Sequence, residues 1–263
     1  MEPIRVVVHG ASGRMGREVL AALCHDPELK VVGAVEKEVT QEQFPLPDGS
    51  VVPFSSDLES ILKNCCPEVL VDFTIAEASR TAAQIATRLG VNLVVGTTGL
   101  SDDDLNEIDH LSQKYEVGAV VAPNFALGAV LMTHLAKVAA KFFDYAEIIE
   151  LHHHQKADAP SGTALSTAKA MLTSRGKPFI HPSMSKENLS SRGEQVDGIT
   201  LHSVRLPGLL AHQEVILGGP GQTLTIRHDT ISRECYMPGI IMAIKEVVKR
   251  RGLVYGLDAL LGL

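Results

Sequence analysis

Short runs of contiguous β-branched and aliphatic residues alternate along the first half of the chain with stretches whose apolar positions recur every three or four residues. Residues 4–8 (IRVVV) form the first run, and HGASGRMGREVLAAL follows, with Met15, Val19, Leu20 and Leu23 at helical spacing. A short continuous apolar run predicts a strand covered on both faces, and the periodic segment after it predicts a helix. The pattern repeats with strands at 31–35, 69–73, 92–95 and 119–122, a helix over 77–89 stopped by Gly90, and a helix opened by Ser101 and Asp104 at capping-box spacing. Such alternation predicts an α/β fold whose N-terminal part is a Rossmann-type, doubly wound parallel sheet.

The rhythm changes after a long apolar helix expected at 127–143. A strand at 147–151 and a helix at 163–175 ended by Gly176 are followed by a Ser-, Lys- and Arg-rich stretch, 177–197, expected to be a long loop or flap. Three strand patterns then arrive with no helix between them, at 199–206, 212–217 and 223–227. The turn signal GGPGQ makes the last two an antiparallel hairpin. The second domain is therefore expected to be α+β with an open mixed sheet. Pro238 and Gly239 precede an amphipathic helix, IIMAIKEVVKRRG, expected to pack back on the first domain. The expected division is 1–123 together with 236–263, and 124–235.

Composition narrows the functional classes. The 24 Lys+Arg against 31 Asp+Glu give a formal charge of -7 with no long run of either sign, which argues against a nucleic-acid surface. No apolar run approaches the ~18 residues that cross a bilayer, and the N-terminus enters a strand directly, so a cytoplasmic protein is expected. Cys24, Cys65, Cys66 and Cys235 show no C-x-x-C spacing and read as reduced thiols.

The turn after the first strand, Gly10-Ala11-Ser12-Gly13-Arg14-Met15-Gly16, is a variant of the dinucleotide fingerprint. Its glycines permit a tight turn and close backbone approach to a pyrophosphate, and the helix N-terminus supplies N–H groups. Glu36, twenty residues past Gly16 at the end of the second strand, is placed to bond the adenosine ribose hydroxyls. Lys37 beside it suits the 2′-phosphate of NADP, so NADH and NADPH both stay open as cofactors. Gly96-Thr97-Thr98 and Ala122-Pro123-Asn124-Phe125 fall at carboxyl ends of strands, where open α/β sheets bind ligands, and are candidates for the nicotinamide half.

The densest polar chemistry is in ELHHHQKADAPSGTA, residues 150–164, a strand–loop–helix corner. Imidazoles titrate near neutrality, Lys156 supplies a cation or proton donor, and the helix start after Pro160, with Ser161 and Thr163, can receive a carboxylate. A small, multiply anionic substrate fits such a site. The three histidines also raise the possibility of zinc. Alternation along a strand puts His152 and His154 on one face and His153 on the other, so a tetrahedral site would need ligands from elsewhere, and no metal is expected.

Together, G-A-S-G-R-M-G, V-G-T-T-G, A-P-N-F and above all E-L-H-H-H-Q-K-A-D-A-P-S-G-T-A resemble the dihydrodipicolinate reductase family, along essentially the whole chain. The resemblance implies NADH- or NADPH-dependent reduction of 4-hydroxy-tetrahydrodipicolinate to tetrahydrodipicolinate, in the diaminopimelate route to lysine, by a homotetramer joined through the open sheets. It implies that His152 is a proton donor or acceptor, that His153 contacts substrate, that Lys156 is a proton donor, and that Gly162 with Thr163 holds a substrate carboxylate. It also implies cofactor contacts at Gly10 to Met15, Glu36, Lys37, Gly96 to Thr98 and Ala122 to Phe125. Some members carry Arg-His where this chain has His154-Gln155, and an Arg in the place of Lys37, after the acid, is common where NADP is used. Two rival classes are a different dehydrogenase on the same first domain and a nucleotide-sensing protein without turnover.

Overall fold

The computed structural model describes residues 2–181 and 192–263. The chain forms two compact units, Met1–Leu127 with Arg233–Leu263, and Gly128–Ser232.

In the first unit the elements run β1 (Ile4–His9), α1 (Arg14–His25), β2 (Leu29–Val35), β3 (Gln43–Pro45), β4 (Val51–Ser55), α2 (Leu58–Cys65), β5 (Val69–Asp72), α3 (Ala76–Arg88), β6 (Asn92–Val95), α4 (Asp102–Lys114) and β7 (Gly118–Val121). Val6, Val7 and Val8 of β1 and Val69, Leu70 and Val71 of β5 are wholly buried, as the unbroken apolar runs require of strands covered on both faces. Leu58, Ile61, Ala82, Ala86 and Ile108 bring α2, α3 and α4 into one core with β1, β5 and β6. Ser101 caps α4 with the reciprocal Asp104 bond that its spacing predicts.

The second unit contains α5 (Leu127–Ala139), β8 (Tyr145–His152), α6 (Gly162–Arg175), β9 (Glu194–Val196), β10 (Ile199–Arg205), β11 (Ala211–Gly219) and β12 (Gln222–Thr230). Its sheet has the order β12-β11-β8-β10-β9, with β8 and β10 parallel and the remaining pairs antiparallel. Ala146, Ile148, Ile199, Leu201, Val215 and Leu217 pack with Ala136 of α5, Ala140 just after it, and Ala164, Ala168 and Met171 of α6, so one face of the sheet is the core. The hairpin predicted from GGPGQ joins β11 to β12, with Gly219 opposite Gln222 and Gly221 at φ +72°. After this unit the chain returns to the first through a 3-10 turn (Arg233–Tyr236), α7 (Met237–Val247), β13 (Gly252–Tyr255) and α8 (Leu257–Leu261).

The first unit's sheet has the order β13-β7-β6-β5-β1-β2-β4-β3, parallel except for the β3–β4 pair. The chain order reverses at β1, with β2 on one side and β5 on the other, which defines a topological switch point. Lys245 of α7 lies 2.8 Å from Asp26 after α1, within the same unit.

The structure departs from the sequence pattern in several places. The helix expected at 127–143 stops at Ala139, because Arg175 draws later carbonyls out of the helical ladder by bonding Ala140 O (3.0 Å) and Phe143 O, and also holds the Asp144 carboxylate at Oδ1 (2.5 Å). The stretch 177–197 contains β9, paired with β10; its portion 182–191, nearly half of the expected flap, lies outside the described residues. The β3–β4 ladder and β13 were not anticipated. No helix among the described residues is long and apolar enough to cross a membrane.

Candidate active site

The loops after β1, β2, β5, β6 and β7 all leave the carboxyl edge of the first unit's sheet, so the predicted cofactor residues lie on neighbouring strands. Gly10, at φ +81°, turns the chain, and a Cβ there would lie 2.6 Å from Phe73 O. Gly16 seats α1 against the turn: its Cβ would lie 2.1 Å from Gly10 O and 2.9 Å from Ala11 Cα. Ala11 is buried, whereas Gly13 and Arg14 are exposed. Gly13 is the N-cap of α1, without a side-chain cap and with no acidic residue in the first turn. The first-turn N–H groups are thus left for an external anion, and the small-residue turn gives it room to approach.

Glu36 already faces this turn, accepting from the N–H of Ser12 through Oε2 and from that of Lys37 through Oε1, each at 3.0 Å. The Lys37 side chain is exposed beside it. Of the Gly96-Thr97-Thr98 turn, Thr98 is exposed, while Thr97 is buried and its hydroxyl is used internally: it donates to Asp72 Oδ2 (3.1 Å) and accepts from Thr74 N–H (2.9 Å). Thr74 Oγ1 donates to Asp72 Oδ1 (2.8 Å), and His9 Nδ1 lies 3.0 Å from the same oxygen. Asp72, fully buried at the end of β5, therefore ties together the turns after β5 and β6. Sequence pattern pointed to none of Asp72, Phe73 and Thr74. Gly96 is compelled by Phe73, whose ring edge would lie 2.1 Å from a Cβ. Phe125 is tilted against the same ring at a 6.0 Å centroid distance. Pro123 is exposed, and Asn124 Oδ1 accepts from Ala126 N–H (2.9 Å), which fixes the side chain. Glycines that admit no Cβ, uncapped N–H groups and an acid over the turn together form a donor set that fits a nicotinamide dinucleotide.

In the second unit the strand–loop–helix corner is built on a residue that motif reading passed over. Glu150 points to the helix-covered face of β8 and has no exposed surface. Its Oε1 accepts from Arg205 Nη2 (2.7 Å) and from the N–H of Ser161 (3.3 Å); its Oε2 accepts from Arg205 Nη1 (2.9 Å) and meets His152 Nδ1. Burial pushes this carboxyl up, but the bonds from His152, Arg205 and Ser203 outweigh it and hold the group at about 2. Arg205 Nη2 also donates to Asp158 O (2.6 Å), which fastens the loop.

Lys156, with 23% of its side chain exposed, pairs with the exposed Asp158 at 2.7 Å, and this bond holds the Asp158 carboxyl below its usual range. Its backbone N–H donates to His153 O (3.1 Å). Ser161 is the N-cap of α6: its Oγ accepts from Ala164 N–H (3.2 Å) and its carbonyl from Leu165 N–H (3.1 Å). The Ser161 N–H is committed to Glu150, so the first-turn groups left to receive a carboxylate are those of Gly162 and Thr163. Open space surrounds Gly162. The described residues contain no group of three His, Cys, Asp or Glu side chains spaced to hold a metal ion. Neither Glu150 nor Arg205 carries a local motif signal beyond the position of Glu150 at the head of the histidine stretch. Their pairing depends on the parallel alignment of β8 with β10, in which Arg205 lies opposite His152.

Comparison with known proteins covers both units. Residues 4–125 match the family described as dihydrodipicolinate reductase, N-terminus, and residues 128–261 its C-terminus. A 4-hydroxy-tetrahydrodipicolinate reductase of Dehalococcoides mccartyi is 58% identical over 100% of both chains, and that of Moorella thermoacetica is 50% identical over 98% of each. A solved structure of dipicolinate-bound dihydrodipicolinate reductase from Paenisporosarcina sp. superposes with a TM-score of 0.88 at 38% identity, covering 97% of this chain and 98% of that one. The chain belongs to the dihydrodipicolinate reductase family.

Proposed function

We propose that this oxidoreductase reduces 4-hydroxy-tetrahydrodipicolinate to tetrahydrodipicolinate with NADH or NADPH, in the cytoplasmic diaminopimelate route to lysine. The observation that carries the reading is the linkage of His152, Lys156 and the open start of α6 through one buried carboxylate, Glu150, and its partner Arg205. When bound, the reduced nicotinamide supplies a hydride to the conjugated ring of the substrate.

The Gly10–Gly16 turn and the N–H groups of Arg14, Met15 and Gly16 receive the pyrophosphate; Glu36 and Lys37 face the adenosine ribose; Gly96 to Thr98 and Ala122 to Phe125 border the nicotinamide. Gly162 and Thr163 N–H groups hold one substrate carboxylate, and His153 contacts the substrate. The substrate's 4-hydroxyl leaves as water to give the conjugated ring; hydride acceptance by that ring leaves an electron-rich ring carbon that must take one proton, and His152 Nε2 or Lys156 Nζ supplies it. Positive charge at Lys156 and the oriented N–H groups stabilise the dianionic substrate as that charge develops.

We propose further that the protein is a homotetramer assembled through the second unit's open sheet face. Tyr145, Ile149, Leu151 and Ile216 lie on that face beside the Glu147–His202 (2.8 Å) and Arg227–Glu214 (3.0 Å) pairs. Light scattering at micromolar concentration tests this, and a monomer would refute it.

The activity is tested by following oxidation of NADH and NADPH with substrate generated in place from pyruvate and aspartate semialdehyde by the preceding synthase. Substrate-dependent oxidation is expected. Lys156→Ala should lower kcat by about 100-fold or more while leaving cofactor affinity unchanged. Cofactor binding without turnover would move the protein to the nucleotide-sensor class.

A further inference from the structure

We infer that Glu150, held by Arg205, is a positioning residue that fixes His152 in the tautomer with Nδ1 protonated and Nε2 open toward the substrate. The inference rests on the proposed reductase reading for the role of His152, and on contacts within the second unit for everything else.

Both oxygens of Glu150 are occupied by donors. Two guanidinium N–H groups and one backbone N–H converge on them, and His152 Nδ1 approaches Oε2. A carboxyl so surrounded has no direction in which to donate a proton of its own, so it is the anion. An anionic oxygen in hydrogen-bond contact with an imidazole nitrogen requires a proton on that nitrogen. Nδ1 is therefore the donor, and in neutral His152 the lone pair sits on Nε2. When His152 takes a second proton it does so at Nε2, the nitrogen pointing away from Glu150, and can return it there. Burial of Glu150 removes water from this contact and strengthens it.

The anchor also sets where the ring stands relative to its partners. The same carboxylate holds Ser161 N–H at the start of α6, and the guanidinium that grips it holds Asp158 O in the loop carrying Lys156. A shift of Glu150 would move His152, the α6 N-cap and the lysine loop together. Arg205 prevents it with two near-parallel bonds that a lysine cannot make. Glu150 does not exchange a proton during turnover.

The test uses the full-length protein with ¹⁵N-labelled histidine, the His152 signals being assigned by difference from His152→Asn. Wild-type neutral His152 should show a protonated Nδ1 and an unprotonated Nε2. In Glu150→Gln the side-chain amide can turn its NH₂ toward Nδ1, and the tautomer should invert. Turnover with the in-place substrate should then lose about 100-fold in kcat, with altered pH dependence, while substrate KM and NADH affinity change by less than about threefold. Glu150→Asp, which keeps the anion on a shorter arm, should retain the wild-type tautomer and recover part of the rate. Wild-type His152 protonated at Nε2, or Glu150→Gln with unchanged tautomer and kcat, would overturn the inference. If Glu150→Gln fails to fold, the wild-type spectrum alone decides. If the wild type binds NADH but turns over no substrate, the reductase reading fails, whereas the tautomer measurement still judges Glu150.

Discussion

Replacing Gly16 by alanine separates the packing role of the nucleotide turn from its binding role. The added Cβ would lie 2.1 Å from Gly10 O, 2.9 Å from Ala11 Cα and 2.9 Å from Ala11 O. An ordinary carbon–oxygen approach is about 3.3 Å, so α1 must retreat from the turn by more than about 1 Å, and all three obstructing atoms are backbone. Overpacking of this kind costs about 1–3 kcal/mol, against roughly 1 kcal/mol gained from alanine's helix propensity. The net destabilisation is up to about 2 kcal/mol, a fall in melting temperature of up to a few degrees for the transition of this unit. Cofactor binding should suffer more. An N–H displaced by about 1 Å leaves hydrogen-bond range, and losing two such bonds to a phosphate at about 1.5 kcal/mol each raises Kd about 100-fold.

Gly13→Ala is the control: its Cβ meets only Gly10 O, at 3.1 Å, and φ is already -67°. It should leave stability near wild type. Thermal unfolding and NADH fluorescence titration on both variants give the answer. Gly16→Ala with wild-type melting temperature and wild-type NADH affinity would refute the reasoning, since it would mean that the turn and α1 separate without consequence.

Three further outcomes follow from the same contacts. The Glu150 carboxyl is held at about 2 against an ordinary 4.5, so its ionisation contributes about 3 kcal/mol of stability. That contribution is complete above about pH 4.5 and is lost as pH falls toward 2; denaturant titrations at pH 7 and pH 3 should show a larger acid loss in wild type than in Glu150→Gln, and equal losses would contradict the assignment. Asp72→Ala strips the acceptor from the Thr74 and Thr97 hydroxyls, which should cost about 1–3 kcal/mol and weaken NADH binding; unchanged NADH titration would detach Asp72 from the cofactor loops. Lys37→Ala should weaken NADPH by about threefold, the worth of an exposed ion pair, and leave NADH unchanged; equal loss with both would remove Lys37 from the 2′-phosphate.

Much of the scaffold was legible locally because its signals are local. The apolar runs of β1, β5 and β6, the Ser101–Asp104 cap, Gly176 at the end of α6 (φ +73°) and the GGPGQ turn each act within a few residues of themselves. The β3–β4 ladder was hidden by Pro45 and Pro53, which argue against strand pairing but are tolerated toward a sheet's edge, where these strands lie. The end of α5 was misplaced because Arg175, thirty-odd residues on, terminates it. The site divides the same way. The glycine turn and the histidine stretch advertise their chemistry in sequence, whereas Asp72, Glu150 and Arg205 act through partners distant in the chain. For Glu150 and Arg205 the separation is 55 residues and the link is a parallel strand register.

Buried Asp72 and Glu150 suggest why those distant partners occupy such costly positions. A buried ion pair is seldom retained for stability alone, since apolar residues of similar volume are often as good or better. Asp72 at the end of β5 and Glu150 near the end of β8 are both wholly buried. Each satisfies its oxygens with groups from neighbouring strands and from the loop that follows: Thr74 and Thr97 in the first unit, and Arg205, His152 and Ser161 in the second. An apolar side chain would fill the same space but would leave each loop free to choose among conformations, because dispersion contacts have little direction. A carboxylate in low dielectric does have direction: every donor must come to it at hydrogen-bond distance, or the desolvation cost is left uncompensated. Each unit thus uses one buried acid to convert the rigidity of its central strands into fixed positions for the turns around them, and the candidate cofactor and substrate groups are carried on those turns.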